Sequence, residues 1–320
     1  MVSLTLSKLF TRGLSNLRLY PASVKVVEVG PRDGLQNEKT IIDTSIKVEL
    51  INRLNQCGLK VIEVTSFVSP KWVPQMSDNK QVYGQITKRN DVSYPVLVPN
   101  LNGLKDAINS GVKEIALFMA ATESFSKKNT NCTIEESFIR IEEIMKLALK
   151  EGLNVRGYIS CVIGCPYEGP VDPEKVTQLS KRLYELGCYE ISLGDTIGIG
   201  NPGTFEKLLD KITRQIPIDC IAVHCHDTYG MALANIYAAL QFGISTFDSS
   251  ISGLGGCPYA PGATGNVATE DLVYMLHGMG IETGINFDDL MKTSSFISST
   301  LNRQPASRVF KALNVKEKVN

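Results

Sequence analysis

The sequence predicts a closed (β/α)8 barrel with one additional helical segment at its carboxyl-terminal end. Three observations predict it. From Val24 onward, short apolar β-rich runs alternate without a break with amphipathic helical stretches. The alternation makes eight strand–helix units over roughly 250 residues, the usual span of such a barrel. The one Gly-x-Gly-x-x-Gly string, Gly198 to Gly203, follows the sixth strand and not the first, where a doubly wound open sheet, the nearest alternative, carries its fingerprint.

The strands are expected at 24–29, 60–65, 94–98, 114–119, 154–162, 189–193, 220–226 and 246–251. Most are short and apolar on both faces, as parallel strands covered by helices are. Between the first two, Ile42, Ile46, Leu50, Ile51 and Leu54 recur at helical spacing, and Gly58 follows as a carboxyl-terminal cap. Thr133 and Glu136 form a capping box ahead of Phe138, Ile141 and Met145. Asp172-Pro173 and Asn201-Pro202 each set a capping residue before a proline at the first helical position. After the eighth helix, 287–301 reads as one more amphipathic segment, and beyond Gln304 the apolar pattern fades. The expected organisation is therefore a leader at 1–23, a barrel with its extra helix at 24–303 and a tail at 304–320.

The leader stands apart in composition. Met1 to Val27 contain no Asp or Glu, while Lys8, Arg12 and Arg18 are interleaved with Leu4, Leu6, Leu9, Phe10 and Leu14. Basic, hydroxylated and acid-free sequence marks an organellar transit peptide, and the expected destination is the mitochondrial matrix. Across the whole chain 33 Lys and Arg balance 33 Asp and Glu, so no general basic field exists for nucleic acid. With 43% apolar and 21% charged residues the chain has a globular composition. No apolar run approaches the roughly 18 residues of a membrane span. The eight cysteines include no Cys-x-x-Cys pair, which argues against a zinc ribbon or a disulfide framework and for a reducing compartment.

In a (β/α)8 barrel the site lies at the carboxyl ends of the strands, and that rule selects the polar residues to weigh. Gly30-Pro31-Arg32-Asp33-Gly34-Leu35-Gln36-Asn37-Glu38 follows the first strand. Glu63 sits inside the second, and Asp195 ends the sixth. His224 and His226, two of only three histidines, end the seventh. As i and i+2 on a strand they project to one face, with Cys225 on the other. Gly253-Leu254-Gly255-Gly256-Cys257 follows the eighth strand, and Asn266 stands at a helix start just beyond.

Asp33, His224, His226 and Asn266 make a mixed oxygen and nitrogen set that suits Mg2+ or Mn2+, with water and substrate completing an octahedron. Zinc would more naturally recruit a thiol. Taken singly, Asp33 before Gly34 is also a common turn pair and Asn266 a common helix cap. Arg32 is either a structural ion pair with Asp33 or, by its place beside this set, an electrophile for a developing oxyanion. Glu63 either holds Arg32 or acts as a base. Asp195 is a further candidate, ranked below these, either supporting the ligands from behind or relaying a proton. Cys257 lies on a glycine-rich loop able to expose a thiol, but Cys165 has the same Gly-Cys-Pro-Tyr neighbours, and local sequence does not choose between them.

These residues carry a resemblance. The stretches 29–38, 66–76 (Ser-Phe-Val-Ser-Pro-Lys-Trp-Val-Pro-Gln-Met), 223–230 (Val-His-Cys-His-Asp-Thr-Tyr-Gly) and 250–259 (Ser-Ile-Ser-Gly-Leu-Gly-Gly-Cys-Pro-Tyr) resemble 3-hydroxy-3-methylglutaryl-coenzyme A lyases, from about Val24 to about Arg303. The Gly-Leu-Gly-Gly-Cys-Pro loop is the specific part. Arg-Asp and His-x-His are shared with a broader group of metal-dependent barrels that make or break carbon–carbon bonds. The resemblance implies cleavage of 3-hydroxy-3-methylglutaryl-CoA to acetyl-CoA and acetoacetate, with a CoA thioester as the small-molecule partner. It implies Asp33, His224, His226 and Asn266 on the metal, Arg32 and Gln36 on the substrate, and Cys257 rather than Cys165 in acid–base work. It also implies a homodimer. Animal mitochondrial members of that family carry a regulatory cysteine near the carboxyl terminus; Lys311-Ala312-Leu313-Asn314-Val315 here has none. Lys127 and Lys128, after the fourth strand, read first as a solvated surface pair and second as contacts for the phosphates of coenzyme A. The competing expectations are a condensing synthase of the same barrel group, acting on a 2-oxo acid, and a metal-binding barrel without catalysis.

Overall fold

A computed structural model of the chain describes residues 20–256 and 265–317. Among the described residues, eight parallel strands close into a ring. They are β1 Lys25–Glu28, β2 in two pieces (Val61–Ile62 and Thr65–Ser66), β3 Val96–Leu97, β4 Glu114–Ala120, β5 Asn154–Ser160, β6 Glu190–Asp195, β7 Ile221–Cys225 and β8 Thr246–Ser249. Around the ring the order is β1, β8, β7, β6, β5, β4, β3, β2. Closure falls on β2, whose first piece pairs with β1 and whose second pairs with β3. Between the pieces, the Glu63 N–H donates to the Glu28 carbonyl and the Val64 N–H to that of Pro95. Every strand overlaps the stretch expected for it, and the barrel is the fold.

One helix follows each strand: α1 Thr44–Gln56, α2 Asn79–Gln85, α3 Leu101–Asn109, α4 Ile134–Lys150, α5 Pro173–Glu185, α6 Pro202–Ile212, α7 Ala232–Gln241 and α8 Thr269–Gly278. Their starts are written locally. Thr133 and Glu136 make the reciprocal capping box of α4, Asp172 accepts from the Glu174 N–H at α5, and Asn201 from the Thr204 N–H at α6. Each such cap is worth about 1 kcal/mol. After α1, Gly58 turns the chain at φ +92°, and a Cβ there would lie 2.3 Å from the Gly284 carbonyl oxygen, so no other residue fits. The short helix Glu123–Thr130 lies between β4 and α4. No helix among the described residues is long and apolar enough to cross a membrane.

Two further helices follow α8. Phe287–Thr300, the extra amphipathic segment, packs on α1, with Arg53 stacked 4.4 Å over the Phe296 ring. The stretch beyond Gln304, in which the apolar pattern fades, also carries a helix, Arg308–Glu317. Its start is made by α8, whose Asp271 accepts from the Ser307 hydroxyl and from the Arg308 and Val309 N–H groups. Ser307 also caps the helix locally, its hydroxyl oxygen accepting the Phe310 N–H at 2.9 Å, a signal that the fading apolar pattern did not reinforce.

The apolar core lies between ring and helices, and the strand pleat decides what reaches it. Ile191, Leu193, Val223, Cys225 and Phe247 are in register on one face and join that core. The alternate residues face into the barrel. Among them Leu97, Ala116, Phe118 and Tyr158 form an apolar patch. The rest of the interior is polar on β5 to β8, which differs from the expectation of strands apolar on both faces. Arg156 on β5 is fully buried and reaches across the interior to Asp248 on β8 (2.7 and 3.1 Å) and sideways to Glu190 on β6 (2.7 Å). Glu190 also takes Lys25 Nζ at 2.5 Å. Two cations thus meet two carboxylates, which is the condition under which buried charges are tolerated.

Candidate active site

The turn after β1 is a π-helical turn, Gly30–Gly34, a form that recurs at functional sites. Glu28, at the end of β1, holds it. One carboxylate oxygen accepts the Gly30 N–H and the Ile251 N–H, both at 2.8 Å, and the other accepts the Thr269 hydroxyl at 2.6 Å. The turns after β1 and β8 are thereby fastened to one side chain, whose carboxyl is pushed up to about 7 by burial. Gly34 lets the two turns close: a Cβ there would lie 2.8 Å from both Leu254 Cβ and Ser250 Oγ.

This turn delivers Arg32 and Asp33 to the mouth of the barrel. Arg32 is buried between carboxylates, with Nε 2.8 Å and Nη2 2.7 Å from Glu63 Oε2, and Nη1 2.7 Å from Asp33 Oδ1. Burial of Glu63 raises its carboxyl despite the guanidinium beside it. Tyr158, on β5, points its hydroxyl at Glu63 (3.3 Å), and its ring lies under Arg32 on one side and Arg156 on the other. Glu63 is thus ion-paired to Arg32. Its second oxygen has no hydrogen-bond partner.

His224 and His226 project together from the end of β7, ring centroids 5.3 Å apart, while Cys225 turns into the apolar core. Asp33 comes to them from β1. Potential ligand atoms of Asp33, His224 and His226 all lie within 4.8 Å of one another, close enough to share one ion. Asn266, bridged to His226 through the backbone, donates its amide to Asp33 Oδ2 at 2.8 Å. Burial would raise the Asp33 carboxyl, but Arg32 and the two imidazoles overcome it and hold the group at about 2. His224 Nδ1 meets Asp248 Oδ2 at 3.1 Å. His226 makes its hydrogen bond with the backbone of Thr196 and leaves Nδ1 buried without a partner. Burial and the neighbouring imidazole lower it to about 4, so the ring stays neutral and keeps a lone pair.

The donor set fits a divalent cation on this evidence. It combines a carboxylate, two imidazoles and an amide, and includes an orphaned buried ring nitrogen.

The cluster opens into a cavity of about 1390 Å3 lined by Gln36, Trp72, Phe118, Tyr158 and Gly256 and, towards its rim, by Lys127, Lys128 and Arg140. Gln36 and the two lysines are therefore on the wall expected of them. Asp195 is placed differently. It is in register with Cys225, on the face of the ring opposite to His224, and accepts the Gly200 N–H at 2.8 Å. Burial pushes it up to about 6. Its carboxylate shapes the loop after β6 and does not join the cluster. Cys257 lies outside the described residues; Gly256 before it accepts a hydrogen bond from Asn37 at 3.0 Å. Cys165 is buried, with Thr122 Oγ1 3.1 Å from its sulfur.

Sequence reasoning passed over Arg156, Tyr158 and Asp248. The available signal was polar residues two apart within strands read as apolar: Arg156 and Tyr158, Glu190 and Ser192, Thr246 and Asp248.

The family model described as HMGL-like matches residues 23–297. The chain is 56% identical to the mitochondrial hydroxymethylglutaryl-CoA lyase of Bos taurus, over 93% of this chain and 92% of that one. It is 59% identical to the cytoplasmic 3-hydroxy-3-methylglutaryl-CoA lyase of Rattus norvegicus, over 93% of this chain and 87% of that one. Among solved structures, an HMG-CoA lyase from Acinetobacter baumannii in complex with coenzyme A and 3-methylmalate superposes with a TM-score of 0.88 at 36% identity. That likeness covers 91% of this chain and 95% of that one.

Proposed function

The chain belongs to the HMGL-like family and is a carbon–carbon lyase that cleaves 3-hydroxy-3-methylglutaryl-CoA, and from that premise we propose how the barrel mouth performs the cleavage. Asp33, His224, His226 and Asn266 would hold a divalent cation, Mg2+ or Mn2+, and such an ion would supply Lewis acidity toward the tertiary hydroxyl of the substrate, whose proton passes to water in the cavity. Arg32 faces the thioester oxygen, on which negative charge develops as the C2–C3 bond breaks and acetoacetate departs. Glu63 holds the guanidinium in place beforehand, so meeting that charge costs no reorganisation. Cys257, on the loop after β8, protonates C2 of the resulting enolate to give acetyl-CoA; its reference pKa of about 8.5 suits a proton donor near neutral pH.

The cavity wall supplies the rest. Gln36 lines it beside Asp33 and grips the acyl portion, while Lys127, Lys128 and Arg140 meet the phosphates of coenzyme A. Asp195 acts indirectly, by holding the loop from which the Thr196 backbone meets His226. The chain works as a homodimer in the mitochondrial matrix, a compartment supported by the acid-free leader; relatives at similar identity are named both mitochondrial and cytoplasmic.

The observation that carries this reading is the joining of Asp33, His224 and His226 next to the Arg32–Glu63 pair at one end of the barrel. Its test is acetyl-CoA release from 3-hydroxy-3-methylglutaryl-CoA, with and without Mg2+ or Mn2+. His226→Ala is expected to weaken Mn2+ binding by at least about tenfold and to lower turnover with it, since even an outer partner's loss costs that much. Cys225→Ala, on the other face of β7, leaves the metal affinity near wild type. Mn2+ titration followed by electron paramagnetic resonance decides; equal affinity in His226→Ala and wild type ends the assignment.

A further inference from the structure

His224 and His226 are chemically alike and unequally held. His226 keeps a buried Nδ1 with no partner. His224 instead rests on Asp248, a carboxylate engaged on every side. Asp248 Oδ1 takes Arg156 Nη2 at 2.7 Å; Oδ2 takes Arg156 Nη1 at 3.1 Å, the Ser192 hydroxyl at 2.7 Å and His224 Nδ1 at 3.1 Å. Arg156 is itself fixed, because Nε donates to Glu190 and Glu190 is held in turn by Lys25. The guanidinium fork therefore leaves Asp248 a single orientation.

We propose that Asp248, clamped by Arg156, is the positioning residue of the metal site, fixing His224 in the tautomer protonated on Nδ1 so that Nε2 presents its lone pair toward Asp33 and His226. Two facts carry this. Ionised and doubly bound to a guanidinium, Asp248 is an acceptor only, so the imidazole nitrogen facing it is the donor. With Nδ1 committed there, Nε2 is the nitrogen of His224 left to complete the three-residue cluster. The arrangement spans the ring, since His224 on β7 stands in register with Asp248 on β8 while the clamp comes from β5. A carboxylate behind a ligating histidine orients the ring and raises its basicity, and loss of such a partner typically lowers metal affinity by about 10- to 100-fold.

Asp248→Asn tests the proposal. The Arg156 fork takes the one amide oxygen, which leaves the amide nitrogen facing His224 Nδ1, donor against donor. The proton of His224 then moves to Nε2, the atom the metal needs. In metal-free full-length protein labelled with 15N-histidine, at a pH high enough that the imidazole is neutral, wild-type His224, assigned by its absence from His224→Gln, is expected to show a protonated Nδ1 and a bare Nε2. Asp248→Asn is expected to show the reverse. It is also expected to lower Mn2+ affinity by about 10- to 100-fold, with kcat largely recovered at saturating metal. A merely structural role would move neither the tautomer nor that split. The proposal is overturned if wild-type His224 carries its proton on Nε2, or if Asp248→Asn keeps both tautomer and affinity.

If Asp248→Asn does not fold, Arg156→Met/Asp248→Leu removes both charges together and leaves Glu190 with Lys25. The acceptor is then gone, and the same fall in Mn2+ affinity is expected; unchanged affinity overturns the proposal. The inference rests on the assignment of Asp33, His224 and His226 as metal ligands, and the two fail separately. Wild-type Mn2+ affinity in His226→Ala removes the ligand assignment, while the tautomer measurement still decides whether Asp248 orients His224.

Discussion

Arg32→Lys is expected to lower kcat by roughly a hundred- to a thousandfold, about 3 to 4 kcal/mol, the usual cost of losing one preorganised donor to a developing oxyanion. The geometry says why a retained charge does not rescue it. Arg32 donates through Nε and Nη2 to Glu63 and through Nη1 to Asp33, so three of its five N–H groups anchor it. The remaining two, one on each terminal nitrogen, stay available for the thioester oxygen. A lysine ammonium in the same place must choose between the carboxylates and the substrate, and it has no rigid fork with which to serve both. Because charge on that oxygen grows as the C2–C3 bond breaks, the lost interaction belongs to the transition state and the effect lies in kcat. Mn2+ affinity, measured in parallel, stays within a few-fold of wild type, since Asp33 and both histidines remain. A variant with normal kcat and a raised KM would assign Arg32 to substrate binding and remove its role as enolate stabiliser.

Cys257→Ser is expected to leave folding, Mn2+ affinity and substrate affinity near wild type and to lower kcat by about 10²- to 10⁴-fold, the range for losing a general acid. A serine hydroxyl fills the same space and is far less acidic than a thiol, so the enolate waits for solvent to supply its proton. Cys165→Ser is the comparison. Its thiol is buried beside Thr122 and away from the metal cluster, so a change there costs some stability and little turnover. Steady-state kinetics on the two variants, with thermal melts, separates them. Full activity in Cys257→Ser together with loss in Cys165→Ser would mean that the other Gly-Cys-Pro-Tyr copy supplies the proton.

Much of this was legible in the chain. The eight strands were readable because each is a short β-rich stretch bounded by turn residues, and α4, α5 and α6 because their caps are written within four residues of the helix start. His224 and His226 were readable as a pair because strand geometry alone puts i and i+2 on one face. Asp33 and Arg32 followed from the rule that barrels build sites after strands, and the structure brings both to the histidines. The helix Arg308–Glu317 was passed over although Ser307 caps it locally, because its apolar periodicity is weak and the rest of its start is held by Asp271 on α8. Nor was the direction of Asp195. Position at a strand end marks a candidate, but the pleat turns this carboxylate away from the face that His224 occupies.

What the sequence by itself determined is the ring of alternating strands and helices and the set of side chains that its mouth displays. Both follow from periodicity and from backbone rules that act over a few residues. What the tertiary structure decided is which buried polar groups meet inside the ring. Arg156 and Asp248 are 92 residues apart, on strands that do not pair with each other, and they find each other across the barrel interior. Each alone reads as an isolated charge in an apolar strand. Together they neutralise one another, and His224 Nδ1 rests on the same Asp248 carboxylate. The physical reason is that a buried charge is stable only beside its partner, and closure of the ring, not neighbourhood in the chain, supplies that partner.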